Sequence, residues 1–70
     1  MKQTIIAVRI TDQVRVAVEL DRGEYQVRVY GYQPDPRVDR DYSVHGIFQR
    51  EHEALRSYVG LCADLNQRAA

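Results

Sequence analysis

Residues 14–20 read Val-Arg-Val-Ala-Val-Glu-Leu. Large apolar side chains occupy every second one of these seven positions. This period of two residues is typical of a half-buried β-strand. One side carries Val14, Val16, Val18 and Leu20, and the other carries Arg15, Ala17 and Glu19. The strand therefore has one face for a core and one for water, and the rest of the chain can be placed against it.

A first hairpin is predicted to join residues 4–11 to this strand. If Ile6, Val8 and Ile10 face the core, they lie opposite Val18, Val16 and Val14, in that order. This register leaves residues 11–13 as a three-residue turn. A two-residue turn at 12–13 would instead place Arg9 on the buried face, where an unpaired charge is costly. We therefore prefer the longer turn.

A second hairpin is indicated by residues 21–24, Asp-Arg-Gly-Glu, which supply the polar and glycine residues of a tight turn. It leads into a predicted strand over residues 25–32, with Tyr25, Val27 and Val29 opposite Leu20, Val18 and Val16. Residues 33–41 hold two prolines among five charges and predict a loop. Residues 42–47 are a candidate short fourth strand, with Tyr42 and Val44 on one face.

The apolar period becomes helical from about residue 49 to residue 68. At 100° per residue, one side of this helix collects Phe48, Glu51, Leu55, Tyr58, Val59, Cys62, Leu65 and Ala69. The pattern as a whole predicts a single α+β domain over residues 1–70. It is a small antiparallel β-meander of three strands, with a candidate fourth, and one C-terminal amphipathic helix packed on one face.

Composition limits the function classes. Ten basic and ten acidic residues give a net charge of zero, without the basic bias of a dedicated nucleic-acid binder. The single cysteine excludes an intramolecular disulfide and a two-thiol metal site. A chain of this length buries only about 60% of its unfolded surface, and a partner subunit is a common remedy. No segment approaches the ~20 apolar residues of a membrane span, so we expect a soluble, cytoplasmic protein.

Few residues suggest chemistry. His52 and Cys62 are ten positions apart on the predicted helix, which separates them by about 15 Å. Cys62 lies within the apolar stripe, where a free cysteine acts as a small core residue. The three aspartates of residues 33–41 lack the glycine and final glutamate of an EF-hand loop. The sequence predicts no catalytic residue, no metal site, no cofactor and no enzyme activity.

The sheet face opposite the helix carries the one group of residues that suggests a binding function. Its predicted rows are Ile5/Glu19/Gln26, Ala7/Ala17/Arg28, Arg9/Arg15/Tyr30 and Thr11/Gln13/Tyr32. Arg9 opposite Arg15 is a like-charge pair, which is unfavourable by up to ~1 kcal/mol unless solvent, an acidic partner or an aromatic ring offsets it. Tyrosine and arginine are enriched at the centres of protein interfaces. The predicted partner-binding residues are Arg9, Arg15, Arg28, Tyr30 and Tyr32.

Two functions are compatible with this surface. The first is a small non-enzymatic protein-interaction module, either a homodimer or an adaptor or inhibitor of a larger assembly; small regulators of this kind are often encoded by mobile elements. The second is nucleic-acid binding, with the two tyrosines stacking on bases and the arginines holding phosphates. A net charge of zero favours the first function, because it gives little long-range attraction toward a polyanion.

Overall fold

A computed structural model of the chain describes residues 2–31 and 42–69. Its elements are β1 (Gln3–Arg9), β2 (Arg15–Asp21), β3 (Glu24–Tyr30), β4 (Tyr42–Phe48) and α1 (Glu51–Ala69). The strands form one antiparallel sheet in the order β1-β2-β3-β4, with the helix packed on one face. The predicted α+β fold is confirmed, the candidate fourth strand included. The predicted loop at 33–41 and Tyr32 lie outside the described residues.

The β1–β2 turn follows the preferred register, with Ile6 opposite Val18 and Val8 opposite Val16. Thr11 explains why this three-residue turn needs no glycine. Its hydroxyl oxygen accepts hydrogen bonds from the backbone N–H groups of Gln13 and Val14, each at 3.1 Å. The side chain thus supplies the local bonding that fixes the turn.

The β2–β3 turn is a two-residue connection between the paired residues Asp21 and Glu24. Its two central residues have positive φ angles, 54° at Arg22 and 79° at Gly23. Two left-handed residues in succession give the twist that suits adjoining antiparallel strands. Beyond this turn Leu20 faces Tyr25, Val18 faces Val27 and Val16 faces Val29, as predicted.

The two edge strands are each irregular at one point, and the first irregularity alters a predicted row. The register of β1 against β2 shifts between Thr4 and Ile6, so Thr4 lies opposite Glu19. The prediction of Ile5 in that position is wrong, because a bulge there frees Ile5 to pack against the core. A second shift, in the β3–β4 pairing, leaves His45 unpaired and sets Val44 opposite Arg28.

The core lies between the helix and the inner strands. Val16, Val18, Val27 and Ala54 are fully buried, and Tyr58 is nearly so. The predicted place of Val59 in the apolar helix face is wrong, since 63% of its surface is exposed. Ala54, which was not in the predicted stripe, is fully buried in the core cluster instead.

Cα atoms of the helix come within 8 Å of Cα atoms in β2, β3 and β4 but not in β1. Two apolar side chains of β1 on the helix side consequently remain partly uncovered, Ile6 with 41% and Val8 with 38% of their surface exposed. No helix among the described residues is long and apolar enough to cross a membrane. The sheet thus has three strands under the helix and one beyond it.

Candidate protein-interaction site

The sheet face opposite the helix, here called the outer face, is not uniformly open as we expected. Ala17 is fully buried, and Glu19 and Arg28 retain only 2% and 3% exposure. Arginine and glutamate are almost never buried this deeply unless they are paired. The centre of the outer face must therefore satisfy its charges from within.

A charge network does so, formed by Lys2, Glu19, Asp21, Gln26, Arg28 and Tyr30. Arg28 donates from Nη1 to Glu19 at 2.9 Å, from Nη2 to Asp21 at 3.3 Å and from Nε to Gln26 at 2.9 Å. Glu19 also accepts a hydrogen bond from the Tyr30 hydroxyl and forms an ion pair with Lys2 Nζ at 3.3 Å. Its two cations and two anions cancel. Among the described residues no buried side-chain nitrogen or oxygen lacks a hydrogen-bond partner.

Aromatic rings complete the network. The Arg28 guanidinium carbon lies 4.3 Å from the centre of the Tyr42 ring, and the Tyr42 and Tyr30 rings are 5.3 Å apart. Both distances are within the range of cation–π and aromatic contacts. The guanidinium is thus held by bonds in its plane and by a ring over its face.

The network also changes the acid–base behaviour of two of its members. Burial, aided by the hydrogen bond to Glu19, raises the pKa of the Tyr30 hydroxyl above its ordinary value. The hydrogen bond and the negative charge of Glu19 raise the pKa of the Lys2 ammonium group. Both groups therefore keep their protons more firmly in the folded protein than in the unfolded chain.

The end of the outer face beside the β1–β2 turn is different. Arg9 and Arg15 are cross-strand partners, as predicted, and both are exposed. Among the residues the structure describes, neither arginine forms an ion pair. The Arg15 guanidinium lies over the Tyr30 ring at 4.4 Å from its centre, which is one of the compensations expected for the like-charge pair.

An open hollow of about 230 Å³ adjoins this pair. We call it the arginine hollow; its lining consists of Arg9, residues 11–14, Arg15, Tyr30 and Gly31. Asp12 is the one acidic residue in that lining, and it is not ion-paired to either arginine. The lining thus carries two positive charges and one negative charge, and its arginine donors have no acceptor within the described chain.

The five predicted partner-binding residues therefore fall into three groups. Arg9, Arg15 and Tyr30 meet at the arginine hollow. Arg28 is buried in the charge network, so it has no free donor fork to offer a partner. Tyr32 lies outside the described residues.

Sequence reasoning missed the pairing of Glu19 with Arg28. The signal was present, because the predicted register already placed Ala17 and Glu19 beside Arg28 and Gln26 on one face. We interpreted these residues as exposed to solvent. That interpretation overlooked the diagonal cross-strand contact that brings the charges of Glu19 and Arg28 together. We therefore counted Arg28 as a free donor.

The described residues contain no group of three or more His, Cys, Asp or Glu side chains that could hold a metal ion. Cys62 is half-buried against the core, and burial raises the pKa of its thiol. A raised pKa lowers the thiolate fraction, which is the opposite of what a reactive cysteine requires.

Searches for relatives add no functional information. No family model matches the chain, and neither the curated proteins nor the solved structures include a significant match. The arginine hollow is therefore interpreted from its own geometry and charge.

Proposed function

We propose that the chain is a small non-enzymatic protein-interaction module that binds an acidic group of a protein partner at the arginine hollow. The single observation that carries this proposal is the contrast between two parts of one sheet face. Lys2 and Arg28 are paired with carboxylates of the chain itself, whereas Arg9 and Arg15 lie side by side without one. A carboxylate from a partner would supply the missing acceptor.

The geometry of Arg15 supports binding rather than simple exposure. Its guanidinium is stacked on Tyr30, and Tyr30 is itself anchored by its hydrogen bond to Glu19. A donor fork that is already oriented loses less conformational entropy when it meets a carboxylate. Tyr30 thus connects the charge network to the arginine hollow.

Binding of a single-stranded nucleic acid remains the second candidate, and the structure offers it less support. Arg28 is 3% exposed, all three of its guanidinium nitrogens are bonded within the chain, and one side of the Tyr30 ring is covered by Arg15. A base-stacking surface needs open rings along a basic groove. We therefore favour a protein carboxylate as the ligand of Arg9 and Arg15.

The test compares the wild-type chain with the double variant Arg9→Thr/Arg15→Thr. Arg56→Thr serves as the control, because Arg56 is an exposed arginine on the helix, far from the outer face. Each chain is used to capture partners from the source cell, and the captured protein is purified for calorimetry. We expect the double variant to bind that protein roughly tenfold more weakly or worse, since hydrogen bonds to a charged group are worth about 1.5–3 kcal/mol. The control should bind normally.

Stability measurements show whether the double variant is a fair comparison. Removing the like-charge pair relieves up to ~1 kcal/mol, and losing the Arg15–Tyr30 contact costs a similar amount. Its melting temperature should therefore stay close to that of the wild type. Equal partner binding by both chains would refute the proposal. Salt-sensitive binding of single-stranded oligonucleotides by the wild type alone would favour the second candidate.

A further inference from the structure

We propose that the partner binds as an extended segment that adds a fifth strand to the free edge of β1 and places a carboxylate beside Arg9. This inference rests on the proposed function, because it names the kind of partner that the arginine hollow takes. Strand addition to an exposed edge is a general mode of peptide recognition.

Within residues 2–31 and 42–69, no strand pairs with the edge of β1 that faces away from β2. Of the four strands that the structure describes, β1 is the first in the sheet and has β2 as its one neighbour. Its side away from β2 therefore presents backbone N–H and C=O groups that no described strand satisfies. The bulge near Ile5 interrupts this edge, so residues 6–9 are its regular part. An added strand would form its backbone hydrogen bonds there.

Apolar contacts are available on the helix side of the same edge. Ile6 and Val8 face that side and are 41% and 38% exposed. An added strand would cover them with every second side chain, because residues on a strand alternate between its faces. Apolar side chains at those positions of the partner would gain the most from burial.

The same alternation decides where an acidic residue of the added strand would lie. Arg9 lies on the outer face, so the residue opposite it on an added strand also points there, with its Cβ atom about 5 Å away. A glutamate at that position reaches the guanidinium of Arg9 directly and approaches Arg15, one strand further in. For an antiparallel strand, the partner motif is an acidic residue followed by apolar residues one and three positions later.

A second copy of this chain fits the edge less well. Residues 2–11 contain no acidic residue. Two copies paired through β1 would therefore bring no carboxylate from either strand to Arg9 and Arg15. Charge complementarity favours a partner whose strand carries an acid.

The experiment uses a synthetic eight-residue peptide with blocked ends. It has glutamate at position three, valine at positions four and six, and threonine elsewhere. The matched control peptide carries glutamine at position three. Binding is measured by calorimetry, and amide hydrogen exchange of the labelled protein is followed by NMR with and without peptide.

We expect the glutamate peptide to slow exchange at amides within residues 6–9 of β1 by roughly tenfold or more, because those groups gain hydrogen-bond partners. The glutamine peptide should bind roughly tenfold more weakly, and so should the glutamate peptide to Arg9→Gln/Arg15→Gln. Arg56→Gln, which removes one arginine charge from the helix, should leave binding unchanged.

The alternative outcomes are distinct. Binding that depends on Arg9 and Arg15 without slower exchange on β1 would overturn the added strand and leave the proposed function intact. Slower exchange on β1 that both peptides cause equally would overturn the role of the carboxylate. A dimer mass in solution with β1 already protected would show that a second copy occupies the edge. The absence of binding by either peptide would also overturn the inference.

Discussion

Glu19 shows how a single residue can hold a sheet face together without a helix over it. Its carboxylate meets Lys2, Arg28 and Tyr30, and only 2% of the residue is exposed. Removing charges from water is costly, and their mutual attraction offsets that cost only when the geometry satisfies all of them. Such a pair therefore tolerates the loss of both members better than the loss of one.

A double-mutant cycle tests this property. Glu19→Leu should lower the free energy of unfolding by about 3 kcal/mol or more, because the buried Arg28 keeps only Asp21 as a counter-charge. The double variant Glu19→Leu/Arg28→Leu should be more stable than Glu19→Leu alone. Urea denaturation of the wild type, both single variants and the double variant measures the four free energies. Strictly additive losses would show that the two residues are not coupled.

Val16 represents the other face of the same strand. It is fully buried under the helix, so Val16→Asp puts an unpaired charge at the centre of the core. We expect this variant to be unfolded at room temperature, with a circular dichroism spectrum of a disordered chain. Val44→Asp is a useful comparison, since Val44 lies half-buried on the edge strand β4. A native spectrum and melt for Val16→Asp would contradict the central place of this side chain.

The face to which most strand residues point was predictable here, whereas the ion pairs and hydrogen bonds between side chains were not. Alternation and turn length correctly predict that Val16, Val18 and Val27 lie in the core. The bonds of Arg28 depend on side-chain rotamers and on diagonal neighbours, which a period of two residues does not encode. That is why the predicted binding face contained a buried arginine.

At the scale of elements, the helix shows what periodicity leaves out. Its existence and length follow from the apolar stripe, which we centred on Leu55 from the sequence. The helix face that packs on the sheet differs from this stripe, since Ala54 is buried and Val59 is exposed. The two edge irregularities are likewise invisible in the pattern, because a bulge adds one residue without changing which residue types are present.

Gly60 gives a stability prediction for the helix. It is exposed within α1, and a Cβ atom added there would meet no atom within 4 Å. Gly60→Ala should therefore stabilise the protein by up to ~1 kcal/mol, which raises the melting temperature by about 4–8 °C for a domain of this size.

Gly46→Ala provides the control for this experiment. A Cβ atom at Gly46 would lie 2.9 Å from the Phe48 ring, so that variant should lose stability. Thermal melts followed by circular dichroism compare both variants with the wild type. A lower melting temperature for Gly60→Ala would mean that the folded state requires the glycine at that position.

At the scale of the whole molecule, alkaline pH is expected to weaken the fold. Tyr30 and Lys2 both have pKa values raised by folding, so the folded state binds their protons more tightly than the unfolded state. The associated stability is fully present below about pH 10 and is lost as the pH rises further. For both Tyr30 and Lys2, the free energy of unfolding therefore falls as the pH rises.

Urea midpoints measured between about pH 8 and pH 11 check this prediction, with Tyr30→Phe as the matched variant. The wild type should lose more stability over that range than Tyr30→Phe, because the variant has no hydroxyl to ionise at that position. The Tyr58 hydroxyl, whose pKa is also raised by burial, is present in both proteins and cancels in the comparison. Equal losses in the two proteins would remove Tyr30 from the explanation.

The helix that stops short of β1 has a consequence for the order in which the molecule opens. β1 is held by its pairing with β2 and by few core contacts. β2, β3 and β4 are held both by strand pairing and by contacts with α1. Regions with little buried apolar contact open at the lowest free energy. We therefore expect β1 to open at a lower free energy than β2, β3 and β4, and a strand that binds its edge to raise the free energy of that opening.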